Sequence, residues 1–137
     1  MARFDQRIAI VTGAGSGIGR AAAVRLAREG ATVVMVDVAE AGLLETESTM
    51  PEDARYQRRL VDVSDESQVK DLVAETMDTF GRIDVLCNIA GIASTSGGHP
   101  PVTGNDREEW DEVLAVNLIG SMLLIKHVAP HMQARKL

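Results

Sequence analysis

The chain has 137 residues, 45% hydrophobic and 25% charged, which suits one domain with a real core and excludes a disordered tail or a membrane protein. Its 14 Lys and Arg face 20 Asp and Glu, and the net charge of -6 argues against a nucleic-acid partner and for a soluble, cytoplasmic protein. Cys87 is the only cysteine, so an internal disulfide is excluded, and with 3% aromatics the core must be built from Ala, Val, Leu, Ile and Met.

Residues 8–12 predict a first strand; the apolar run is too short for a signal-peptide core. Residues 20–29 follow as a helix stopped by Gly30. Residues 32–37 predict the second strand, and residues 39–49 its helix, ended by Pro51. Residues 56–63 predict a third strand, placed at a sheet edge because Arg58 and Arg59 interrupt it. The next helix is predicted to have Ser64 as its cap and Asp65 and Glu66 in its first turn. Val69, Leu72, Val73, Thr76, Met77 and Phe80 share one face, and Gly81 is the stop.

Residues 83–87 predict a fourth strand, and residues 93–105, rich in Gly, Ser, Thr and Pro, a loop. Such a loop after a strand serves either as a lid or binding segment or as a plain surface connection. A long last helix runs from Asp106 to about Arg135, with Pro130 near its end. The longest apolar stretch, residues 113–125, contains Asn117 and Ser121 and falls short of the roughly 20 residues a bilayer span needs, so no membrane segment is expected. Alternating strands and helices predict right-handed βαβ units and a parallel sheet covered on both faces. The uninterrupted hydrophobicity of the strands agrees, since buried strands need no polar alternation. No internal repeat is present.

The segment Thr12-Gly13-Ala14-Gly15-Ser16-Gly17-Ile18-Gly19 lies between the first strand and its helix. It misses the spacing G-x-G-x-x-G, because Arg20 stands where the last glycine would fall, and matches T-G-x-x-x-G-x-G instead. Glycines there allow a tight turn and close approach of a ligand, and the helix start offers free N–H groups to a pyrophosphate. A tight βα connection alone would also use such residues. Asp37, 18 positions beyond Gly19, ends the second strand, where a carboxylate can accept hydrogen bonds from an adenosine ribose and repel a 2′-phosphate. An Asp there could equally cap a helix. Ser16 and Val38 are neutral and offer no compensating cation, so turn and carboxylate together select NAD(H) over NADP(H).

With these residues, Asp62-Val63, Cys87-Asn88-Ile89-Ala90-Gly91 and Asn117 within Trp110-Asp-Glu-Val-Leu-Ala-Val-Asn-Leu118, the whole chain resembles the short-chain dehydrogenases/reductases. The resemblance implies a Rossmann-like fold with sheet order 3-2-1-4, forming one dinucleotide-binding domain over residues 1–137 that stops before a fifth strand. It implies cofactor contacts from Gly13, Ser16, Gly17, Ile18, Gly19, Asp37, Asp62, Val63, Asn88, Ala90 and Gly91. Ile89 stands where the family usually has a second Asn. Asn117 matches the family's catalytic set, where it interrupts a helix and holds the lysine of a proton relay through a water; a helical Asn can also simply bond to backbone.

The family's proton donor is a Tyr followed four positions later by Lys, with a Ser upstream. The single tyrosine here, Tyr56, is followed at that spacing by Leu60. The implied function is hydride exchange between a nicotinamide and a small secondary alcohol or ketone, with this chain carrying the cofactor-binding half and predicted inactive alone. The alternative is a truncated, non-catalytic NAD(H)-binding module. The last helix is apolar on more than one side (Trp110, Val113, Leu114 and Leu118, then Ile119, Met122, Leu123 and Ile125), where a lone helix on a sheet needs one stripe. It therefore expects further protein, either a homo-oligomer partner or the missing half. No metal site is expected.

Overall fold

A computed structural model describes residues 2–98 and 100–136; Met1, Leu137 and His99, the last within the predicted loop, lie outside it. The chain forms β1 (Ile8–Thr12), α1 (Gly17–Arg28), β2 (Thr32–Asp37), α2 (Glu40–Ser48), β3 (Arg55–Leu60), α3 (Glu66–Phe80) and β4 (Val85–Cys87). A single 3-10 turn (Val102–Gly104) precedes α4 (Arg107–Leu114), a π-helical segment (Ala115–Gly120) and α5 (Ser121–Ala134). The four strands are parallel in the order β3-β2-β1-β4, as expected.

Alternation along the central strands β1 and β2, both covered on two sides, explains why nearly every position there is apolar, whereas the edge strand β3 carries Arg55, Gln57, Arg58 and Arg59. Ile8, Ile10, Val34 and Val36 face α3 and α5, packing on Val69, Leu72, Val73, Leu124 and Val128. Ala9, Val11, Val33 and Met35 face α1 and α2, meeting Ala23, Leu26, Ala27 and Leu43. One face of the sheet thus uses alanines to bring α1 close, and the other uses branched side chains.

Several boundaries differ from expectation for local reasons. The third strand stops at Leu60 rather than Val63, because its partner β2 ends at Asp37, which pairs with Leu60. Val61 still donates to the Asp37 carbonyl at 3.1 Å, and the chain then turns away. The fourth strand begins at Val85, not Ile83, because the Ile8 N–H is taken by the Asp84 side chain at 2.9 Å. The cap of α3 is Asp65 rather than Ser64: its carboxylate accepts from the N–H groups of Ser67 and Gln68. Ser64 donates instead to Asp62 Oδ1 at 2.6 Å. Gly81 closes α3 in the left-handed conformation, as expected.

From Arg107 to Ala134 the last helix is one 28-residue rod, longer than the apolar stretch read from the sequence, and by length and composition it could cross a bilayer. Leu123, Leu124 and Val128 are nevertheless seated in the core. Trp110, Leu114, Leu118, Ile119, Met122 and Ile125 are exposed, whereas Leu123, grouped with them on the sequence, is buried.

The start of α3 is tied to α5 by charge. Glu66 Oε1 accepts from Lys126 Nζ and contacts His127 Nε2, both at 2.8 Å. The lysine first and the histidine second hold the Glu66 carboxyl down to about 2. In the unfolded chain it titrates near 4.5, so this tie stabilises the fold fully above pH 4.5 and fades as pH falls toward 2. Glu66→Gln should therefore lower Tm at neutral pH and leave it nearly unchanged at pH 2. A uniform drop across that range would contradict the assignment.

Candidate functional site

The register of the sheet brings three chain segments out at one edge. Thr12 pairs with Val36 and Val11 with Cys87, so the glycine turn, Asp37 and residues 88–91 all leave the C-terminal ends of neighbouring strands. Thr12 sews two of them together: its buried hydroxyl accepts from the N–H of Ile89 at 3.0 Å and of Ala90 at 3.1 Å, and donates to the Cys87 carbonyl at 3.3 Å.

Between these segments lies a cavity of about 440 Å³. Its walls include Gly13, Ser16, Gly17, Ile18 and Gly19 from the turn, Asp37 and Val38 from the end of β2, and Asp62 and Val63 after β3. Ala90 and Gly91 close it beyond β4, so the fold gathers ten of the twelve residues singled out from the sequence with no metal-binding cluster among the described residues. The other two are Asn88 and Asn117. The Asn88 side chain turns away from the cavity and donates to the Ser121 carbonyl at 3.3 Å, so it braces α5 rather than lining the wall.

The turn fits a bulky anion because its backbone is bare. A Cβ on Gly19 would lie 1.9 Å from the Gly13 carbonyl oxygen, and one on Gly13 would lie 2.9 Å from the Ala90 nitrogen. Only glycine permits this packing, which brings the α1 N-terminus up to the cavity. The first intrahelical bond at that end runs from Arg20 N–H to the Ser16 carbonyl, so the N–H groups of Gly17, Ile18 and Gly19 precede it. The Ser16 side chain makes no capping hydrogen bond. An anion seated here meets backbone donors and the positive end of the helix.

Asp37 supplies the opposite character in the cavity wall beside the turn. Its Oδ2 accepts from Gly15 N–H at 2.9 Å and its Oδ1 from Ala39 N–H at 3.0 Å. Each carboxylate oxygen has a further lone-pair direction for hydroxyl donors. The Ala39 bond is a local turn ahead of α2, whose own N-cap is Ala39 and which has no side-chain cap, so the helix-cap alternative does not hold. The other oxygen reaches across to the turn. Val36, Val38 and Val61 add apolar wall beside it. Asp62 accepts from Ser64 N–H at 2.9 Å, and its own N–H donates to Gln68 Oε1.

One cation near the turn was missed on the sequence. Arg20 lies beside Gly15, but its guanidinium is committed to the Gly15 carbonyl at 2.6 Å, Glu45 Oε2 at 2.7 Å and Thr46 Oγ1 at 3.0 Å. Its position one residue past the last glycine was the available signal.

Asn117 sits in the π-helical segment, the expected interruption of the last helix, and it is exposed rather than buried. Its Oδ1 accepts from Ile92 N–H and its Nδ2 donates to the Ile92 carbonyl, both at 2.8 Å. One Nδ2 hydrogen and one Oδ1 lone pair remain for another partner. Two turns earlier on the same rod, Glu109 accepts from the hydroxyls of Ser94 and Ser96 at 2.5 and 3.0 Å. These two bonds, Ser94 foremost, hold its carboxyl below the usual range. The start of the residue 93–105 loop is therefore held to α4 through Ser94 and Ser96. Burial pushes the Cys87 thiol up, which leaves it un-ionised at neutral pH.

Comparison with known proteins places these features in context. A family model described as short chain dehydrogenase matches residues 7–137. The chain is 43% identical over 129 residues to levodione reductase of Leifsonia aquatica, covering 92% of this chain and 47% of that protein. The crystal structure of a levodione reductase superposes with a TM-score of 0.91 at 40% identity, over 97% of this chain and 52% of that one. An NAD+-bound xylitol dehydrogenase gives 0.90 at 30% identity, over 97% and 50%. A metagenomic short-chain oxidoreductase in complex with NADP gives 0.88 at 32% identity, over 97% and 59%. The chain spans about half the length of the relatives it matches.

Proposed function

The chain belongs to the short chain dehydrogenase family, and we propose that it forms the NAD(H)-binding half of an oxidoreductase acting on small secondary alcohols or ketones. The observation that carries this reading is Asp37 lining the same cavity as the bare amides of the turn. A ribose with both hydroxyls free can donate to this carboxylate, whereas a 2′-phosphate would meet a like charge. Arg20 does not offset that charge, since Glu45 and two backbone or hydroxyl oxygens already occupy it. Relatives with the same fold are described with either nucleotide, one with NAD+ and one with NADP.

In this reading Gly17, Ile18 and Gly19 hold the pyrophosphate, Asp37 the adenosine ribose, and Asp62 and Val63 the adenine. Bound NAD would supply the hydride acceptor, and NADH the donor. Asn117 keeps the backbone at Ile92 in place and retains the free hydrogen-bonding capacity a proton relay requires. The alkoxide formed on hydride transfer to a ketone needs a proton donor of tuned pKa. Tyr56 cannot fill that role: it lies in β3 and donates to Glu47 at 3.1 Å. The names of two relatives, for a dione and a polyol, support a small alcohol or carbonyl substrate. The reading also takes the protein to be cytoplasmic and free of nucleic acid and membrane, with further protein, a second subunit or the other half of the fold, over the exposed face of the last helix.

Fluorescence titration of NADH tests the binding claim. Asp37→Ala should weaken NADH about 10- to 30-fold, as expected for losing charge-assisted hydrogen bonds to two hydroxyls. An unchanged dissociation constant would contradict it. The 137-residue polypeptide alone should bind NADH yet neither reduce a ketone with it nor oxidise a secondary alcohol with NAD+; turnover would show that its own residues supply the proton donor. Binding without turnover even in the presence of the remaining half would favour the non-catalytic module.

A further inference from the structure

The Asp37 carboxylate is not free to choose its orientation, and the residues that fix it lie outside the cavity. Its Oδ2 is held by the Gly15 N–H at 2.9 Å. The carbonyl of the same residue is gripped from the other side by Arg20 Nη2 at 2.6 Å. Arg20 is itself anchored to α2 through Thr46 Oγ1 and Glu45, and Thr46 donates in turn to the Ala14 carbonyl at 2.7 Å. Steric contact completes the grip. A Cβ on Gly42 would stand 2.7 Å from the Gly15 oxygen, and one on Gly15 would stand 2.8 Å from Asp37 Oδ2. Gly15 therefore sits in a slot whose walls are Asp37, the Gly42 backbone and the Arg20 guanidinium.

We propose that Arg20 and Gly42 are positioning residues for Asp37: by fixing Gly15 they fix the carboxylate, and so set the preference of the cavity for an unphosphorylated ribose. The inference rests on the proposed NAD(H) site. With Gly15 in its slot, Oδ2 is held toward the turn and the remaining lone pairs are preorganised for ribose hydroxyls. With Gly15 released, only the local Ala39 bond at 3.0 Å restrains the carboxylate, which can then rotate. NADH loses a preorganised acceptor, and a 2′-phosphate meets a charge able to swing away. The two effects move the preference in the same direction.

Two variants loosen the slot without changing net charge. Arg20→Lys keeps the cation but cannot reach the Gly15 carbonyl, Thr46 and Glu45 together, and Gly42→Ala pushes the Gly15 oxygen away. NADH and NADPH are titrated separately by fluorescence into wild type, both variants and Asp37→Asn, with melting curves to establish folding. Wild type should bind NADH more tightly, and each variant should reduce that preference by roughly 3- to 10-fold, the scale of one positioned hydrogen bond. A structural role in packing α1 on α2 would weaken both nucleotides by a common factor, and that result, or no change in either, overturns the proposal. If Asp37→Asn erases the preference while both variants keep it, this inference alone fails. A wild type without preference for NADH removes the NAD(H) reading and this inference with it. Should one variant fail to fold, the other decides.

Discussion

Gly19→Ala should abolish the site and destabilise the fold together, lowering Tm by about 10 °C and weakening NADH about 100-fold. The added carbon would lie 1.9 Å from the Gly13 carbonyl oxygen, far inside van der Waals contact, and the oxygen is backbone with no rotamer to yield. Overpacking of this kind costs about 3 kcal/mol, and in a chain of this size each kcal/mol shifts Tm by roughly 3–4 °C. Relief can come only by moving the start of α1 away from the Gly13 turn. That movement withdraws the helix end and its free N–H groups from the cavity. Differential scanning calorimetry and NADH titration read the two effects. A variant that melts like wild type and binds NADH normally would mean that the turn does not hold the nucleotide.

Asp84→Ala should produce the largest loss of stability from a site remote from the cavity. At the N-terminal ends of the strands, away from the cavity, this carboxylate gathers Arg7 at 3.1 Å, Arg82 at 2.7 Å and Arg135 at 3.0 Å, and accepts from the Ile8 N–H at 2.9 Å. Burial opposes its ionisation, yet Arg82, the Ile8 amide, Arg7 and Arg135 outweigh that and hold its carboxyl well below the usual carboxylate range. Its side chain is 2% exposed, while those of the three arginines are 28–43% exposed. Removing it leaves three cations facing one another and an amide at the head of β1 without its acceptor. A buried pair broken on one side costs about 3–5 kcal/mol; with the arginines partly in water, about 2–4 kcal/mol is expected here. Since the folded carboxyl titrates below the unfolded one, this stabilisation is fully present above about pH 4 and is lost only in stronger acid. Arg135→Ala, by contrast, should cost under about 1 kcal/mol, because Asp84 keeps its other partners. Urea unfolding at pH 7 distinguishes them, and equal losses from both variants would contradict a hub centred on Asp84.

The sequence carried the order of elements and the identity of most of the cavity wall because both are written locally. Strand hydrophobicity, the glycine spacing and Asp37 at a strand end need no knowledge of distant residues. What it did not carry depends on partners far along the chain. Asn88 and Gly91 are near neighbours in a single motif, yet Gly91 lines the cavity while the Asn88 side chain is drawn to Ser121 on α5. Nothing in the motif itself distinguishes them. Ser64 and Asp65 are both good capping residues, and the choice between them follows from the turn Asp62 makes after β3 loses its partner. The contact between Gly15 and Gly42 joins residues 27 apart and depends on how α2 lies against the turn. Arg20 was visible only as a break in a glycine pattern, and its grip on Gly15 emerges from the same packing.

Amide chemical shifts followed during an NADH titration test the central claim most directly, since they report where the dinucleotide sits residue by residue. The account predicts that the largest shifts fall on Gly15 to Gly19, Asp37 to Ala39 and Val63, with the amides around Arg7 and Asp84 unmoved. Shifts concentrated instead in the residue 93–105 loop and the face of α4 beneath it, or none at saturating NADH, would contradict it.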